Sequence, residues 1–336
     1  MGVKVPFDEA VRRVTIALEE AGASDAQAIS TAVALVRAEA QGLGSHGLSR
    51  VAQYASHLRH GRVDGQAEPS VVHEHGAALL VDAKDGFAFL ACELAVARGS
   101  QAAKQFGVSL VGVMNSHHAG VLVDHLRPAA AEGLIGLGFA NSPAAMPAAG
   151  GKHAIFGTNP IAAIFPRKDR DAIMIDMSLS EVARGKIAIA AKKGEPIPHG
   201  WALDKFGIAT TDAKAAMEGS MLPIGGAKGA MLALIVEVLV TSLTGSHIGS
   251  EASSFFEEEG NRPRLGQAFL LIDPRAFAGR GVYDERIEKL IAEMLVDEGV
   301  RLAGERRLAL ERKAREEGIE LPDTLSPRAP TLSPRA

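Results

Sequence analysis

Cysteine is almost missing from this chain of 336 residues, and a single thiol, Cys92, excludes an intrachain disulfide. Its place in an Ala/Leu-rich helical pattern makes it a filler of core rather than a nucleophile, and the usage fits a reducing compartment. Aromatic residues are scarce at 4%, and the net charge is −4. There is no basic stripe and no interleaving of aromatic and basic side chains, so nucleic acid is not an expected partner. Long hydrophobic runs are lacking as well. The most apolar stretch, residues 229–245, is interrupted by Glu237 and is short for a bilayer span, so it reads as a buried helix and no membrane partner is expected. Residues 1–6 lack an apolar signal core, and we expect a cytoplasmic protein. No internal period of 20–50 residues is present.

What is there suits a globular enzyme. A composition 47% apolar and 23% charged, at this length, is enough for two domains, since single cores stop growing near about 250–300 residues. Two helical segments fill the chain up to about residue 60 and a polar stretch covers 61–76. Strand signals follow at 77–81, 108–115, 134–141, 161–166, 172–177 and 267–272, with helix signals at 87–105, 121–131, 179–191, 228–243 and 283–298. This is an α/β layer structure whose irregular connectors argue against a uniform βαβ repeat. The last helix is expected to return to the N-terminal helices. A Thr-Leu-Ser-Pro-Arg-Ala segment at 324–329 recurs at 331–336, so residues 323–336 read as a disordered tail with nothing to bury.

Six residues, Gly42-Leu43-Gly44-Ser45-His46-Gly47, match the Gly-x-Gly-x-x-Gly dinucleotide fingerprint, but a helix rather than a strand leads into them. Ser24 and Gln27 have the form of a capping box, and Ile29, Ala32, Val33 and Val36 follow at helical spacing. The fingerprint reading therefore fails. Two readings stay open: Gly42 ends a helix and His46 is a loop histidine, or His46, four residues before Arg50, pairs a proton-transfer imidazole with a carboxylate clamp. A hydrolase elbow is excluded, because Gly44-Ser45-His46-Gly47 is one residue short of Gly-x-Ser-x-Gly.

Four other segments carry chemistry. Asn115-Ser116-His117-His118-Ala119-Gly120 ends a strand and opens a helix, where free N–H groups favour an anion. A metal held by His117, His118 and His125 lacks a carboxylate or cysteine at ligand spacing, and no metal is expected. Gly157, Thr158 and Asn159 form either a plain turn or a close backbone approach before a strand. Asp176-Met177-Ser178 emerges at a strand end, where Asp176 either meets a ligand or caps the following helix. Gly225-Gly226-Ala227-Lys228-Gly229 has the look of a phosphate cradle without Walker spacing.

Taken in order, these segments resemble the malate/L-lactate dehydrogenase family that is unrelated to the Rossmann-type dehydrogenases. The resemblance covers roughly residues 5–312 and includes Leu222-Pro223-Ile224-Gly225-Gly226-Ala227-Lys228-Gly229 and Arg301-Leu302-Ala303-Gly304-Glu305-Arg306-Arg307. It implies a helical domain built from both chain ends, 1–70 with 275–322, and a larger mixed-sheet α/β (α+β) domain, 71–274, that is not a Rossmann fold. It implies a homodimer using NAD or NADP. His46 would be the general acid with Ser45 in its relay, while Arg50 and Thr158 would hold a small carboxylic acid. His118, Ala119, Gly120, Val121 and Leu122, then Asp176, Met177 and Ser178, then Ala227 and Lys228, and finally Gly304, Glu305, Arg306 and Arg307 would line the cofactor.

Two departures bear on substrate. Where the cyclic imino acid reductases of the family tend to place an aspartate in the relay, this chain has Gly185-Lys186, and Lys186 as a catalytic-site cation favours an anionic oxo acid. The Gly-Gly-His-Lys-Gly form of many relatives is Gly-Gly-Ala-Lys-Gly here, which leaves NAD against NADP open. The expectation is a dehydrogenase of malate, lactate or sulfolactate type. A Δ1-pyrroline- or Δ1-piperideine-2-carboxylate reductase is the alternative, and a non-enzymatic small-acid binding protein is the reading from another class.

Overall fold

A computed structural model describes residues 4–325. In chain order the elements are β1 (Lys4–Val5), α1 (Phe7–Glu19), α2 (Asp25–Ala40), α3 (Val51–Arg59), β2 (Ser70–His75), β3 (Ala78–Asp82), α4 (Ala88–Phe106), β4 (Val108–Ser116), α5 (Arg127–Ala131), β5 (Ile135–Ala140), β6 (Met146–Pro147), β7 (Ala154–Phe156), β8 (Ile161–Arg167) and β9 (Arg170–Met177). Then come α6 (Arg184–Lys193), β10 (Ala202–Leu203), β11 (Ala209–Thr210), α7 (Ala213–Glu218), β12 (Ser220–Met221), α8 (Ala227–Glu237), β13 (Leu265–Ile272), α9 (Arg280–Met294), α10 (Glu305–Glu317) and β14 (Ile319–Glu320).

Seven strands form one mixed sheet in the order β2-β3-β4-β13-β5-β8-β9. Among these strands only β3 and β4 run parallel, joined across α4, and every other neighbouring pair is antiparallel. A single parallel pair leaves no doubly wound half-sheet, so the architecture is mixed α/β and not a Rossmann fold. β13 sits fourth in the order and is buried almost throughout, which explains its apolar sequence Leu-Gly-Gln-Ala-Phe-Leu-Leu-Ile. Its one polar side chain, Gln267, accepts from Ser116 Oγ at 2.7 Å and lies 3.9 Å from Cys92 Sγ, so the lone thiol is a core group.

Apolar side chains gather into three clusters. One lies between the sheet and α4, one among α1, α2 and α3 with Ile319 and Leu321 from the far end of the chain, and one under α8 with Met146, Phe156, Leu179 and Ile187. β1 pairs with β14, so the two chain ends meet directly. The helix expected at 283–298 is α9, and it does not return to the N-terminal helices. It lies on the sheet, tied to β8 by the bidentate Arg167–Glu288 pair and by Tyr283 Oη donating to the Pro166 carbonyl at 3.0 Å. The return is made by α10, a helix the sequence did not reveal, which packs on α2. No helix among the described residues is long and apolar enough to cross a membrane.

Several local readings change. The polar stretch holds β2, an edge strand whose outer residues stay exposed and so carry no alternation. Residues 179–183 do not start a helix: the Leu179 N–H donates to Thr158 O and the Glu181 N–H to Leu222 O, pairings that outcompete local helix formation. The segment after Gly120 is a 3-10 turn, Leu122–Leu126, before the short α5. Ser24 caps α2 by accepting from the Gln27 N–H, but the Gln27 side chain leaves the box and donates to Ala67 O at 2.8 Å. Of the expected tail, Asp323–Leu325 forms a 3-10 turn with Leu325 packed on the N-terminal cluster, and residues 326–336 lie outside the described residues.

One buried polar joint ties these layers together. The Gln41 amide donates to Asp124 Oδ2 at 2.9 Å and to Glu311 Oε2 at 3.3 Å, and Arg127 reaches Glu311 at 2.8 Å. Burial alone would raise the Glu311 carboxyl, yet Arg127 and Arg37 hold it below the usual range. Glu311→Ala removes the carboxylate shared by Arg127, Arg37 and the Gln41 amide, leaving the partly exposed Arg127 with Asp124 alone, and we expect a loss of about 1–3 kcal/mol in urea unfolding. A loss below about 1 kcal/mol would mean that the joint is not a brace.

Candidate active site

The turn after α2 is forced by packing. Gly42 takes φ 74°, and at Gly47 a Cβ would sit 2.3 Å from Glu39 Oε2 and 2.9 Å from the Glu39 backbone nitrogen. Glu39 accepts from the Leu48 N–H at 2.9 Å and so closes two consecutive 3-10 turns, Gly44–His46 and Leu48–Arg50. Ser45 Oγ lies 3.0 Å from His46 Nδ1. When the hydroxyl donates to that nitrogen, Nε2 carries the ring proton and is the atom free to exchange it. Arg50 folds back, its Nε donating to Ser45 O at 2.7 Å and its Nη1 to Gln53 Oε1 at 2.6 Å. His46 is half-buried, and desolvation with the cations Arg50 and Arg307 pushes its pKa down to about 4.

The two adjacent histidines face different ways. His118 stacks on His46, with ring centroids 5.5 Å apart, and its Nδ1 lies 2.6 Å from the fully buried Tyr54 hydroxyl. His117 turns to His57, Nε2 to Nδ1 at 2.9 Å, and His125 meets the Ala119 carbonyl at 2.7 Å. The rings therefore converge on no common point. Gly120 takes φ 64°, while the Val121 and Leu122 side chains are buried in the sheet core, so only their backbone is left to meet a ligand.

Asp176 does cap a helical turn, though not the one that follows it: Oδ2 accepts from the Val123 N–H at 3.0 Å, at the start of the 122–126 turn. Burial raises the Asp176 carboxyl to about 6 against the pull of Val123 and Arg307. Arg307 Nη1 is 3.9 Å from Asp176, too far to hydrogen-bond, and is buried with no hydrogen-bond partner among the described residues. Gly304, at φ 98°, packs where a Cβ would meet Met174 at 2.8 Å, and this starts α10 against the end of β9. A cleft of about 530 Å³ opens here between Gln41-Gly42-Leu43 and Arg301, Arg306 and Arg307. Glu305 is exposed and accepts from the Leu302 N–H at 3.2 Å, while Arg306 is exposed beside it.

Beyond Asp176, Met177 is exposed and Ser178 Oγ lies 3.1 Å from Ser180 Oγ. Thr158 sits alongside, its carbonyl accepting from Leu179 and its hydroxyl 3.4 Å from Ser142 Oγ. The Leu179 carbonyl in turn accepts from Ile224, and this draws the Gly225-Gly226 turn to the same edge. Both glycines are left-handed with open space where a Cβ would be, and Ala227 and Lys228 are exposed on the first turn of α8. A guanidinium nitrogen buried without a hydrogen bond, a cleft walled by arginines and an unobstructed glycine turn with a lysine suit a ligand carrying several phosphates.

Lys186 is exposed on the first turn of α6, and among the described residues no hydrogen bond or ion pair joins it to Ser45, His46 or Arg50. Sequence reasoning missed Gln53, Tyr54, His57, Arg62, Phe255 and Phe256. Gln53 and Tyr54 were within reach, lying three and four residues after Arg50 on one helix face. The others meet the site through partners distant in the chain, His57 through His117 60 residues away and Arg62 through Asn261 199 residues away.

The ring environments make a stability prediction. Burial and Arg62 push His57 down to about 4, as burial and Arg50 do for His46. Unfolded, these rings take up a proton near 6.5, so between 6.5 and 4 the unfolded chain binds more protons than the folded one. Stability should be full above about 6.5 and fall as the pH drops towards 4. Urea midpoints that stay level across that window would refute the assignment.

The malate/L-lactate dehydrogenase family model matches residues 5–327. The chain is 47% identical over 327 residues to (2R)-3-sulfolactate dehydrogenase (NADP+) of Chromohalobacter salexigens, covering 97% of this chain and 96% of that one. It superimposes with a TM-score of 0.90, at 31% identity, on the Δ1-piperideine-2-carboxylate reductase of Pseudomonas syringae, covering 96% of this chain and 97% of that one. With the sulfolactate dehydrogenase of Methanocaldococcus jannaschii the TM-score is 0.87 at 30% identity, covering 96% and 94%. A family model that matches residues 5–327, and a relative 47% identical along nearly the whole of both chains, place this chain in the malate/L-lactate dehydrogenase family.

Proposed function

We propose that the chain is an NADP-dependent oxidoreductase that interconverts a small 2-hydroxy acid and its 2-oxo acid, of sulfolactate, malate or lactate type. The observation that carries this reading is His46 held between Ser45 and two arginines, Arg50 and Arg307, in a half-buried turn. NADP rather than NAD is favoured by the cofactor in the name of the sulfolactate dehydrogenase relative and by the arginine-walled cleft. Its phosphates would sit against Arg306, Arg307, Lys228 and the backbone of 118–122 and 225–226, with Asp176 and Ser178 at the strand end between them. A reduced nicotinamide bound there supplies the hydride. Arg50 grips the acid's carboxylate, Thr158 contacts the substrate, and His46 Nε2 gives a proton to the carbonyl oxygen, with Ser45 steadying the ring.

Electrostatics supports that order of events. Desolvation, helped by the cations Arg50 and Arg307, keeps His46 neutral in the free protein. An acid on Arg50 and phosphates near Arg307 would cancel those cations, so ligand binding raises the ring's affinity for a proton although burial still opposes its charge. We expect proton uptake on binding near pH 6, read as a dependence of calorimetric heat on the buffer's ionisation enthalpy. Binding heats that follow no buffer would count against His46 as the acid. His46→Ala should lower kcat about a hundredfold or more and spare NADPH affinity. Unchanged turnover would remove His46 from the mechanism.

A panel of sulfopyruvate, oxaloacetate, pyruvate, Δ1-pyrroline-2-carboxylate and Δ1-piperideine-2-carboxylate with NADPH and NADH tests the substrate class. The imino acids carry the second reading, favoured by the likeness to the piperideine-2-carboxylate reductase structure. Lys186, exposed on its helix, serves as a further cation for dianions, and Lys186→Ala should erode preference for sulfopyruvate over pyruvate. No turnover of any member would leave a small-acid binding protein. A cytoplasmic homodimer completes the proposal, supported by Met231, Leu234, Ile235 and Val238, spaced along one face of the α8 helix and its π-helical continuation and about half exposed. Helical domain 1–70 with 275–322 and sheet domain 71–274 remain our division, with α9 docked on the latter.

A further inference from the structure

Residues 253–261 form a strap over the site, and its anchor is a buried cation that the proposed reaction does not use. Arg62 is 1% exposed, the largest side chain so enclosed among the described residues. Its Nη2 donates to Ser253 O at 3.0 Å, Nη1 to Ser254 O at 3.0 Å and to the Glu257 carbonyl, and Nε to Asn261 O at 3.2 Å. The strap closes on itself, with Ser253 N–H donating to Asn261 Oδ1 at 2.9 Å. Beyond it, Arg262 and Arg264 are pinned to Asp85. What this bolt holds in place is a pair of rings. Phe255 packs on His117 and His118, with centroids 4.9 and 5.2 Å away, and the Phe256 ring centroid lies 5.7 Å from Arg50 Cζ. Gln53 joins the two sides, accepting from Arg50 Nη1 while its amide donates to the Phe255 carbonyl.

We propose that the 253–261 strap is the substrate-side wall of the site, in which Gln53 and Phe256 are positioning residues for the Arg50 guanidinium and Arg62 fixes the strap's register. Arg50 Nε is committed to Ser45 O and one Nη1 hydrogen to Gln53. The fork left over is the Nη1/Nη2 edge, the geometry that receives a carboxylate in two parallel hydrogen bonds. Phe256 covers a face of the guanidinium plane, so the acid must arrive at that edge. The Phe256 ring is 67% exposed, so core packing does not explain where it sits. Its removal therefore tests positioning without unfolding the chain.

The inference rests on Arg50 as the carboxylate clamp. Steady-state kinetics on the best oxo or imino acid, with NADPH Kd and Tm measured alongside, tests it. Phe256→Ala should raise KM for the acid about three- to tenfold, Phe256→Tyr should restore it, and neither should move NADPH Kd or Tm. Gln53→Ala should raise KM similarly and lower kcat. Arg62→Lys, which reaches fewer carbonyls, should raise KM for the acid and speed amide hydrogen exchange within 253–261. Wild-type turnover with KM for Phe256→Ala and Gln53→Ala within twofold of the parent would overturn the strap's role alone. Absence of wild-type turnover on the whole panel would overturn the proposed reaction and the strap's role with it.

Discussion

Everything at the site hangs on the Gln41 amide, which donates to carboxylates from two other parts of the chain. Gln41 directly precedes the Gly42 turn that carries His46, Asp124 follows the 118–122 loop, and Glu311 stands one helical turn beyond Arg307. One buried side chain thus sets three ligand-facing segments in register. Two carboxylates in a dry place would repel, and the joint holds because Arg127 supplies the charge while Gln41 supplies geometry. The Gln41 oxygen itself has no partner among the described residues, so the joint leaves one acceptor unsatisfied.

A second constraint is the surplus of cation over anion at the centre. Beyond burial, Arg50 and Arg307 bear on His46, and Arg50, Arg62 and the neighbouring rings bear on His117 and His118, while Asp176, its carboxyl raised by burial, is the carboxylate that faces Arg307. The protein holds the histidines neutral and leaves Arg307 Nη1 with the long contact to Asp176 and no hydrogen bond among the described residues, an arrangement that is costly until anions arrive. Binding and protonation are therefore coupled through the same charges. Aromatic contacts help to fix these rings. Tyr54 lies edge-on to both His117 and His118, and Phe255 fills the space between the strap and the two imidazoles.

Elements with a strong local period were readable. β4 alternates buried residues with less buried ones from Val108 to Met114, and Ala10, Val14 and Leu18 mark the inner face of α1. The rejection of the dinucleotide fingerprint followed from the helix that leads into it, and the single parallel strand pair agrees. β2 was not readable, because an edge strand has no buried face to impose alternation. Residues 179–183 carried helix-forming composition but are claimed by backbone partners at Thr158 and Leu222. Glu237, seen only as an interruption of an apolar run, is a buried hub that accepts from Asn159 at 2.7 Å and from the Gly249 N–H at 2.7 Å.

The sequence by itself determined the pieces whose partners are near in the chain: the His46 to Arg50 spacing, the glycine turn before α8, and the burial of Cys92 in a helical pattern. It also carried the family's motifs in their order, which no composition could supply. Only the tertiary structure decided that His117 and His118 part company, that Asp176 caps a turn more than fifty residues upstream of it, and that Arg62 is the anchor of a distant strap. The physical reason is the range of the forces involved. Helical and strand periods express burial over a few residues, whereas a buried guanidinium must find acceptors wherever the fold offers them, and for Arg62 those acceptors lie some 190 residues away.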